Sequence, residues 1–355
     1  MTQNSQQSGA AGSATFAGSD SRRYNYFNSE GKRATLYEDV TVDVQPDPTR
    51  HLLQGWIMSF ADGQPTYSDK VTALKSSDWH VFRAPDQEWS RTHYQRQSHI
   101  ENTIKMVVDN ARSDGAPSRF DPGWVSVLQD QFGALKHAEF GLGVALMKAQ
   151  RDGMTQMINN TILTNASYKL RLAQDITLYL GDIGLDITID GDAGKKAWLE
   201  NAAWQGVRKV LEAILAATDH LEIYFAVNVV FEALVGELFR NGFIMRAGPM
   251  HNDFVTPAVV SAASSDYRQN LANTLTLLQM LVNDVKHGDI NKKVMTGWLE
   301  KYVPLCTDAA SRLKSVWELQ TNGDLKFDNV AVDAKRRIDD ILAEIQISLP
   351  KGVTL

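Results

Sequence analysis

The sequence predicts an all-α protein built as a bundle of long helices. From Pro85 onward, apolar residues recur at intervals of three and four, which is the spacing of one face of a helix. The turns between these segments are short and contain Gly or Pro, and the stretch from Ile223 to Phe239 is apolar on nearly every side. With 43% apolar residues among 355, the chain has enough apolar side chain to bury a large core. These features together indicate a helical bundle.

The residues before the bundle have a different composition. Residues 1–22 are rich in Gly, Ser, Gln and Ala, so we expect a flexible N-terminal tail there. Residues 23–84 are predicted to follow as an extended, irregular arm with little regular structure. Within this arm, Val40, Val42 and Val44 alternate with polar residues, which predicts one short strand or extended segment.

The helical domain, residues 85–355, contains cap residues that mark where its first helices begin. Asp86 predicts the start of a helix that ends near Gly115. Asp121 and the proline after it predict a second helix that runs to about Arg151. Periodicity alone predicts further helices over about 154–181, 194–214, 259–286, 290–319 and 332–348, with a kink expected at Pro304.

The most apolar helix has a defined start. Asp219, with Glu222 three residues later, resembles a capping box. Apolar side chains then follow from Ile223 to Phe239, with Glu232 among the few polar exceptions. We expect this helix at the centre of the bundle, because neighbouring helices must cover it on most faces. The polar exceptions also argue against a membrane span.

Composition excludes several classes of function. The 36 Lys and Arg residues against 42 Asp and Glu give a net charge of −6, so there is no basic excess with which to bind nucleic acid. A lone cysteine, Cys306, cannot form an internal disulfide, an iron–sulfur cluster or a zinc knuckle. The first 22 residues lack the apolar run of a secretory signal, so we expect a cytoplasmic protein. Dinucleotide, P-loop and nucleophile-elbow motifs are missing from the sequence.

The spacing of the histidines argues against a metal centre in this chain. Carboxylate-bridged metal pairs in long-helix bundles use Glu-x-x-His, which places both ligands on one face of a helix. None of the eight histidines has a Glu three residues before it, and only Asp284 and His287 have the spacing at all. The sequence therefore predicts no catalytic, cofactor-binding or metal-binding residues. We expect Glu139 and Glu232 to be hydrogen-bonded core or subunit-contact groups.

Aromatic residues are dense between residues 24 and 94. Rings anchor protein cores and interfaces alike, and interfaces are enriched in Trp and Tyr. The sequence therefore offers a candidate partner interface in this region. Its residues are Tyr24, Tyr26, Phe27, Tyr37, Trp56, Trp79 and Trp89.

Three segments of the chain resemble a known family. They read FNSEGKRATLYEDVTVDVQPDP in the N-terminal part, APDQEWSRTHYQRQSHIENTIKMVVDNAR where the helical domain begins, and FGALKHAEFGLGVALMKAQRDGMTQMINNTILTNASYKLRLAQDITLYLGDIG further on. The likeness extends from about Tyr24 to Leu319. It is to the small, or beta, subunit of the hydroxylase component of bacterial soluble diiron multicomponent monooxygenases, and it is strongest for the propane monooxygenase type.

The resemblance implies a ferritin-like helical fold without the iron ligands. It implies a large, or alpha, subunit as the partner that holds the diiron centre, and a second alpha–beta pair in the assembly. It also implies a small coupling protein and a separate reductase with flavin and an iron–sulfur cluster that takes electrons from NAD(P)H. This chain would then be a non-catalytic small subunit that braces the iron-bearing subunit during O2-dependent hydroxylation of a small hydrocarbon such as propane.

Two other hypotheses remain open from the sequence. The first is a self-sufficient, divergent ferritin-like metal oxidase, with ligands from Glu101, Glu139, Glu232 and the Asp284/His287 pair. The second is a helical scaffold protein outside oxygenase chemistry. Metal analysis of the isolated chain and the identity of any protein that co-purifies with it distinguish the three hypotheses.

Overall fold

The computed structural model describes residues 70–319 and 325–349, with residues 34–43, Ser29 and Gly31 nearer the N-terminus. All regular structure in these ranges is helical, which confirms the predicted all-α class. The tail predicted over residues 1–22 and most of the predicted arm lie outside the described residues. The α-helices are α1 (Leu36–Asp43), α2 (Ser90–Ser113), α3 (Pro122–Val127), α4 (Gly133–Gln150), α5 (Gln156–Ile183), α6 (Ala193–Glu200), α7 (Ala202–Ala216), α8 (His220–Phe225), α9 (Glu237–Phe239), α10 (Met245–Ala247), α11 (Val255–Val282), α12 (Gly288–Trp317) and α13 (Phe327–Glu344).

Three π-helical stretches lie within longer helical runs. They are π1 (Leu128–Phe132), π2 (Ala226–Gly236) and π3 (Arg240–Ile244). Short 3-10 turns occur at Trp79–Val81, Pro117–Arg119 and Gly248–His251. The π stretches were not predicted, because π1 and π3 are only five residues long and the 11 residues of π2 are apolar on nearly every side, so no period distinguishes a π-helix from an α-helix there.

The bundle is built on contacts between long helices. Helix α4 packs along α5, α12 packs against α7 and π2, and α13 covers another side of π2. Trp124, Trp204 and Tyr302 are among the largest side chains in the shared core. Within the described residues, no helix is both long and apolar enough to cross a membrane.

The central helix, from α8 to π3, has the predicted start and the predicted burial. Asp219 accepts hydrogen bonds from the backbone N–H groups of Leu221 at 2.9 Å and Glu222 at 3.2 Å, which caps the helix. Every residue from 223 to 240 is buried. This stretch packs against α4, α7, α11, α12 and α13.

The N-terminal part contains a helix where a strand or extended segment was expected. Helix α1 covers Val40 and the following valine of the predicted alternation. Its start is fixed by a capping box, since Thr35 Oγ1 accepts from the Glu38 N–H at 3.2 Å and Glu38 accepts from the Thr35 N–H at 2.9 Å. Glu38 also accepts from Arg83 Nε at 2.8 Å, so a tertiary contact stabilises the helical conformation.

Other boundaries differ from the prediction for local reasons. Helix α2 begins at Ser90 rather than after Asp86, because Gln87 has a positive φ of 48° and the Glu88 N–H donates to Asp86 Oδ1 at 3.0 Å. The helix predicted over about 194–214 is divided into α6 and α7 at Asn201, whose side chain caps α7 by accepting from the Ala203 N–H at 2.9 Å. Helix α12 remains helical through Pro304.

Candidate functional site: a buried ion cluster in the bundle

Four charged side chains meet in the middle of the bundle, each from a different helical element. Glu139 comes from α4, Lys169 from α5, Glu232 from π2 and Arg240 from π3. Glu139, Glu232 and Arg240 are each 0% exposed, and Lys169 is 7% exposed. We call these four residues, with Glu237 of α9, the buried ion cluster.

The geometry of the cluster gives each cation at least two carboxylate partners. Arg240 Nη1 donates to Glu139 Oε1 at 2.7 Å, and its Nη2 donates to Glu237 Oε1 at 2.8 Å and to Glu232 Oε2. Lys169 Nζ lies 2.9 Å from Glu139 Oε2 and also donates to Glu232 Oε1. Glu232 is therefore bound by a different cation on each of its two oxygens.

A glycine makes room for the Glu232 carboxylate. A Cβ placed on Gly236, one helical turn further on, would lie 2.6 Å from Glu232 Oε2. Such a contact is too short for a carbon and an oxygen that are not bonded. Because Gly236 has no side chain, the Glu232 carboxylate can lie against the backbone of its own helix, and from there it contacts both Arg240 and Lys169.

Electrostatics favours the charged forms of Glu232 and Arg240. Burial alone would raise the pKa of Glu232, but the adjacent Arg240 and Lys169 lower it to about 2. Burial alone would lower the pKa of Arg240, but Glu232, Glu139 and Glu237 hold it well above its ordinary value. The cluster is therefore an internal salt bridge network in which Arg240 and Glu232, with its lowered pKa, support each other's charge.

The donor set of the cluster does not fit a diiron centre. Such a centre needs imidazole nitrogens as well as carboxylates, and it needs those carboxylates free to bind metal. Here both oxygens of Glu232 and Oε1 of Glu139 accept hydrogen bonds from Lys169 or Arg240, and Glu139 Oε2 forms an ion pair with Lys169, so two cations already occupy the space between the carboxylates. Within the described ranges, no group of three or more His, Cys, Asp or Glu side chains is arranged to hold a metal ion.

The other residues considered as ligands lie apart from the cluster. Glu101 is exposed on α2. Asp284 accepts from the N–H groups of Ser77 and His287, the latter at 3.0 Å, and so joins the residues before α2 to the start of α12. Burial alone would raise the pKa of Asp284, but these hydrogen bonds lower it to about 2. The structure therefore gives no support to the ligand set of a self-sufficient oxidase.

A second polar network connects α2, α5 and α11. Glu88 accepts from the Tyr168 hydroxyl and lies 3.1 Å from His93 Nδ1. Arg96 donates to Asp266 at 2.7 Å, and Asp266 also accepts from Arg171. Burial alone would raise the pKa of Glu88, but its bonds to His93 and Tyr168 lower it. Like the buried ion cluster, this network joins helices through paired charges.

The space between the two networks is small. A cavity of about 10 Å³ lies beside Glu139, Tyr168, Lys169 and Asp266, which is room for about one water molecule. A wider groove of about 260 Å³ lies between α2 and α11 and is lined by His99, Ile100, Thr103, Ile104, Val107, Ala258, Val259, Ser261 and Ala262. Neither space combines room for a substrate with a pair of groups for acid–base catalysis.

The predicted interface residues are only partly within the described residues. Tyr37 is 3% exposed and its hydroxyl accepts from the Ala84 N–H at 3.2 Å, so it packs inside this chain. Burial raises the pKa of Tyr37 to about 12. Trp79 and Trp89 are half-buried against the core and keep part of each ring accessible. The four remaining residues, Tyr24, Tyr26, Phe27 and Trp56, lie outside the described residues.

The two cations of the cluster were not identified from the sequence. Lys169 lies three residues after Ala166 and three before Leu172, on a helical face that is mostly apolar. Arg240 follows Glu237 by three residues and Glu232 by eight, which places all three near one side of the central helix. A Lys or Arg at a helical position that the apolar spacing places in the core would have indicated an acidic partner there, because charged residues are rarely buried unless they are paired.

Comparison with known proteins identifies the family. A family model described as Methane/Phenol/Alkene Hydroxylase matches residues 56–285, which is more than half of the chain. The chain is 39% identical over 343 residues to the propane 2-monooxygenase hydroxylase component small subunit of Mycolicibacterium smegmatis (strain ATCC 700084 / mc(2)155), covering 96% of this chain and 93% of that one. It is 27% identical to the methane monooxygenase component A beta chain of Methylosinus trichosporium, covering 79% and 74% of the two chains.

Solved structures show the same fold. A chain of phenol hydroxylase from Pseudomonas sp. OX1 superposes with a TM-score of 0.77 at 15% identity, covering 94% of this chain and 98% of that one. A chain of toluene 4-monooxygenase superposes with a TM-score of 0.69 at 18% identity, covering 83% and 99%. These likenesses confirm the long-helix, ferritin-like bundle. Taken with the family match and the close relatives, they lead to one conclusion: the chain belongs to the methane, phenol and alkene hydroxylase family, as one of its small, or beta, subunits.

Proposed function

We propose that this chain is the non-catalytic small subunit of a soluble diiron monooxygenase, and that it braces an iron-bearing large subunit. The complex would use O2 and NAD(P)H to hydroxylate a small hydrocarbon such as propane, in the cytoplasm. The substrate class rests on the relatives, several of which are small subunits of propane 2-monooxygenase. Catalysis itself would take place in the large subunit.

The observation that carries this proposal is the pairing of Lys169 and Arg240 with the buried acids. Glu139 and Glu232 are fully buried acids of the bundle core, and both act as counterions to Lys169 and Arg240. A bundle core closed by its own ion pairs can be rigid without a metal. A rigid helical surface is what a neighbouring subunit needs in order to keep its ligand-bearing helices in a fixed geometry.

The remaining parts of the system are assigned to other chains. We infer that the diiron centre lies in the large subunit, and that flavin and an iron–sulfur cluster lie in a separate reductase. A coupling protein and a second alpha–beta pair complete the proposed assembly. Trp79 and Trp89, which are half-buried, stay part of the proposed partner contact together with Tyr24, Tyr26, Phe27 and Trp56.

The direct test is to purify the tagged chain from its own host and to measure the masses and the iron content of the eluted proteins. We expect a larger protein in equal amount that contains about two irons per copy. The proposal is overturned if the chain elutes alone with bound iron, as a self-sufficient oxidase would, or alone without iron, as an unrelated scaffold would.

A further inference from the structure

The exposed side chains of α4 are all apolar. Phe140, Val144 and Met147 are 57%, 41% and 41% exposed, and every other residue of α4 is buried or half-buried. Their spacing of four and three residues places them in one stripe on the helix. The half-buried Lys148 does not add a free charge, because its ammonium group donates to the carbonyls of Leu215 and Ala217 at 3.1 and 2.8 Å.

The neighbouring helix α5 continues this apolar surface. Leu163 and Leu178 are 39% and 57% exposed. Leu170, between them, packs against α4, since a Cβ on Gly143 would lie 2.8 Å from the Leu170 side chain. The stripes on the two helices are therefore adjacent. We define the α4/α5 face as Phe140, Val144, Met147, Leu163, Leu170 and Leu178.

The accessible side of α5 has almost no charge. From its first residue to Gly181, every position that is exposed or half-buried is uncharged: Gln156, Asn160, Leu163, Ser167, Leu170, Gln174, Thr177, Leu178 and Gly181. A helix surface that faces water usually contains Lys, Glu or Arg. Depletion of charge together with exposed Phe, Met and Leu is the composition of the centre of a protein interface.

The size of the α4/α5 face also fits a subunit contact. Six large apolar side chains exposed to this degree leave on the order of 400 Å² open, which is the size of the largest apolar patches on ordinary monomers. One side of a specific interface buries about 800 Å². The face would thus supply about half of one side of such an interface, with the polar residues around it supplying the remainder.

The edge of the α4/α5 face is basic at one end. Lys136 of α4 and Lys195 of α6 lie close enough to His137 to lower its pKa, in addition to the effect of burial. This basic edge contrasts with the net charge of −6 for the chain. A matching partner therefore presents an apolar surface with acidic residues at the corresponding end.

We propose that the α4/α5 face is the docking surface for the large subunit, and this rests on the function proposed above. A second copy of the same face is a poorer match. In a twofold contact the Lys136 end of one copy would meet the Met147 end of the other, where Arg151 and Asp152 follow and are already ion-paired with each other at 3.1 Å. A different chain with its own acidic edge supplies the counterion for Lys136 that this end of a second copy does not.

The test introduces one charge into the face and one into a matched position elsewhere. Val144→Asp places a carboxylate in the α4/α5 face, and Val332→Asp makes the same change at a 67% exposed position in α13. Tagged full-length chains are expressed in a host strain that lacks the native copy, and the iron-bearing larger protein is quantified per mole of tagged chain. We expect unchanged recovery with Val332→Asp and at least about a tenfold loss with Val144→Asp, because an unpaired carboxylate is costly to bury.

Phe140→Asp provides a second variant of the face, and the helical content of each purified variant verifies that it is folded. The inference is overturned if folded Val144→Asp and Phe140→Asp chains both retain the partner, or if Val332→Asp loses it equally. It is also overturned if the isolated wild-type chain is a dimer that Val144→Asp converts to a monomer without loss of the partner. Failure of the wild-type chain to recover any iron-bearing protein would instead overturn the proposed function.

Discussion

Arg240 Nη1 lies 2.7 Å from Glu139 Oε1, and this contact joins the central helix to α4 at a depth where neither side chain reaches solvent. The two residues are 101 positions apart in the sequence. The contact therefore fixes a tertiary arrangement rather than a local turn. Removing one of the two side chains leaves the other buried and charged without a partner. This lowers the free energy of unfolding more than replacing the whole ion pair with apolar residues would.

Replacing Arg240 with Met is expected to destabilise the protein strongly. Three buried carboxylates would lose a shared cation, so the free energy of unfolding should fall by about 3–5 kcal/mol. The control is Arg246→Met, since Arg246 forms an exposed ion pair with Asp333 at 3.1 Å that is worth less than about 1 kcal/mol. Chemical denaturation of the isolated chain measures both. Equal effects of the two variants would contradict the role of the cluster.

The buried cluster also predicts how stability depends on pH. The pKa of Glu232 is about 2 in the folded protein against 4.5 for an ordinary Glu. A lowered pKa in the folded state stabilises the protein fully above pH 4.5, and this contribution of about 3 kcal/mol is lost as the pH falls toward 2. We expect Glu232→Gln to be much less stable than the wild type at pH 7, with the difference shrinking below pH 4.5. Glu101→Gln, at an exposed position, should follow the wild type throughout.

A close approach of two backbones makes Gly194 sensitive to substitution. A Cβ at this position would lie 2.5 Å from the carbonyl carbon of Gly133, and backbone atoms cannot rotate away. Gly194→Ala should lower the free energy of unfolding by about 1–3 kcal/mol. Gly297→Ala is the control, because its Cβ would meet nothing within 4 Å in the middle of α12. That variant should be neutral or stabilised by up to about 1 kcal/mol, and thermal unfolding of both resolves the difference.

The single thiol is expected to be unreactive in the folded chain. Cys306 is 0% exposed, and burial raises the pKa of its thiol. Since the thiolate is the reactive form, a thiol-specific reagent at pH 8 should modify the native chain about a hundredfold more slowly than the denatured chain. Rapid modification of the native protein would mean that α12 opens readily around this residue.

The bundle could be predicted from the sequence because its helices have clear periods and clear caps. Asp219 caps the central helix where the sequence indicated, and the long apolar run that follows is buried throughout. Helix α1 was interpreted as a short strand or extended segment, although Thr35 and Glu38 have the spacing of a capping box. The alternating valines were the misleading signal, since a β pattern over a few residues is easily overridden by tertiary contacts such as Arg83 with Glu38.

The candidate site was predictable only in part. The sequence indicated that Glu139 and Glu232 were structural acids, because no His stood at the spacing of a metal ligand. It could not indicate that Lys169 and Arg240 were their partners, since that pairing joins residues from separate helices. The α4/α5 face was likewise hidden, because an apolar residue at helical spacing is more often part of the core than of an exposed surface.

The buried ion cluster has a consequence for the order in which such a complex can be built. A helical core whose buried carboxylates are metal ligands leaves those carboxylates unpaired until the metal binds, so its folding depends on the metal supply. Here each buried carboxylate of the cluster has a cation from the same chain. If the proposed function holds, we expect this subunit to fold without iron, so a metal chelator should leave the helical content of the isolated chain unchanged.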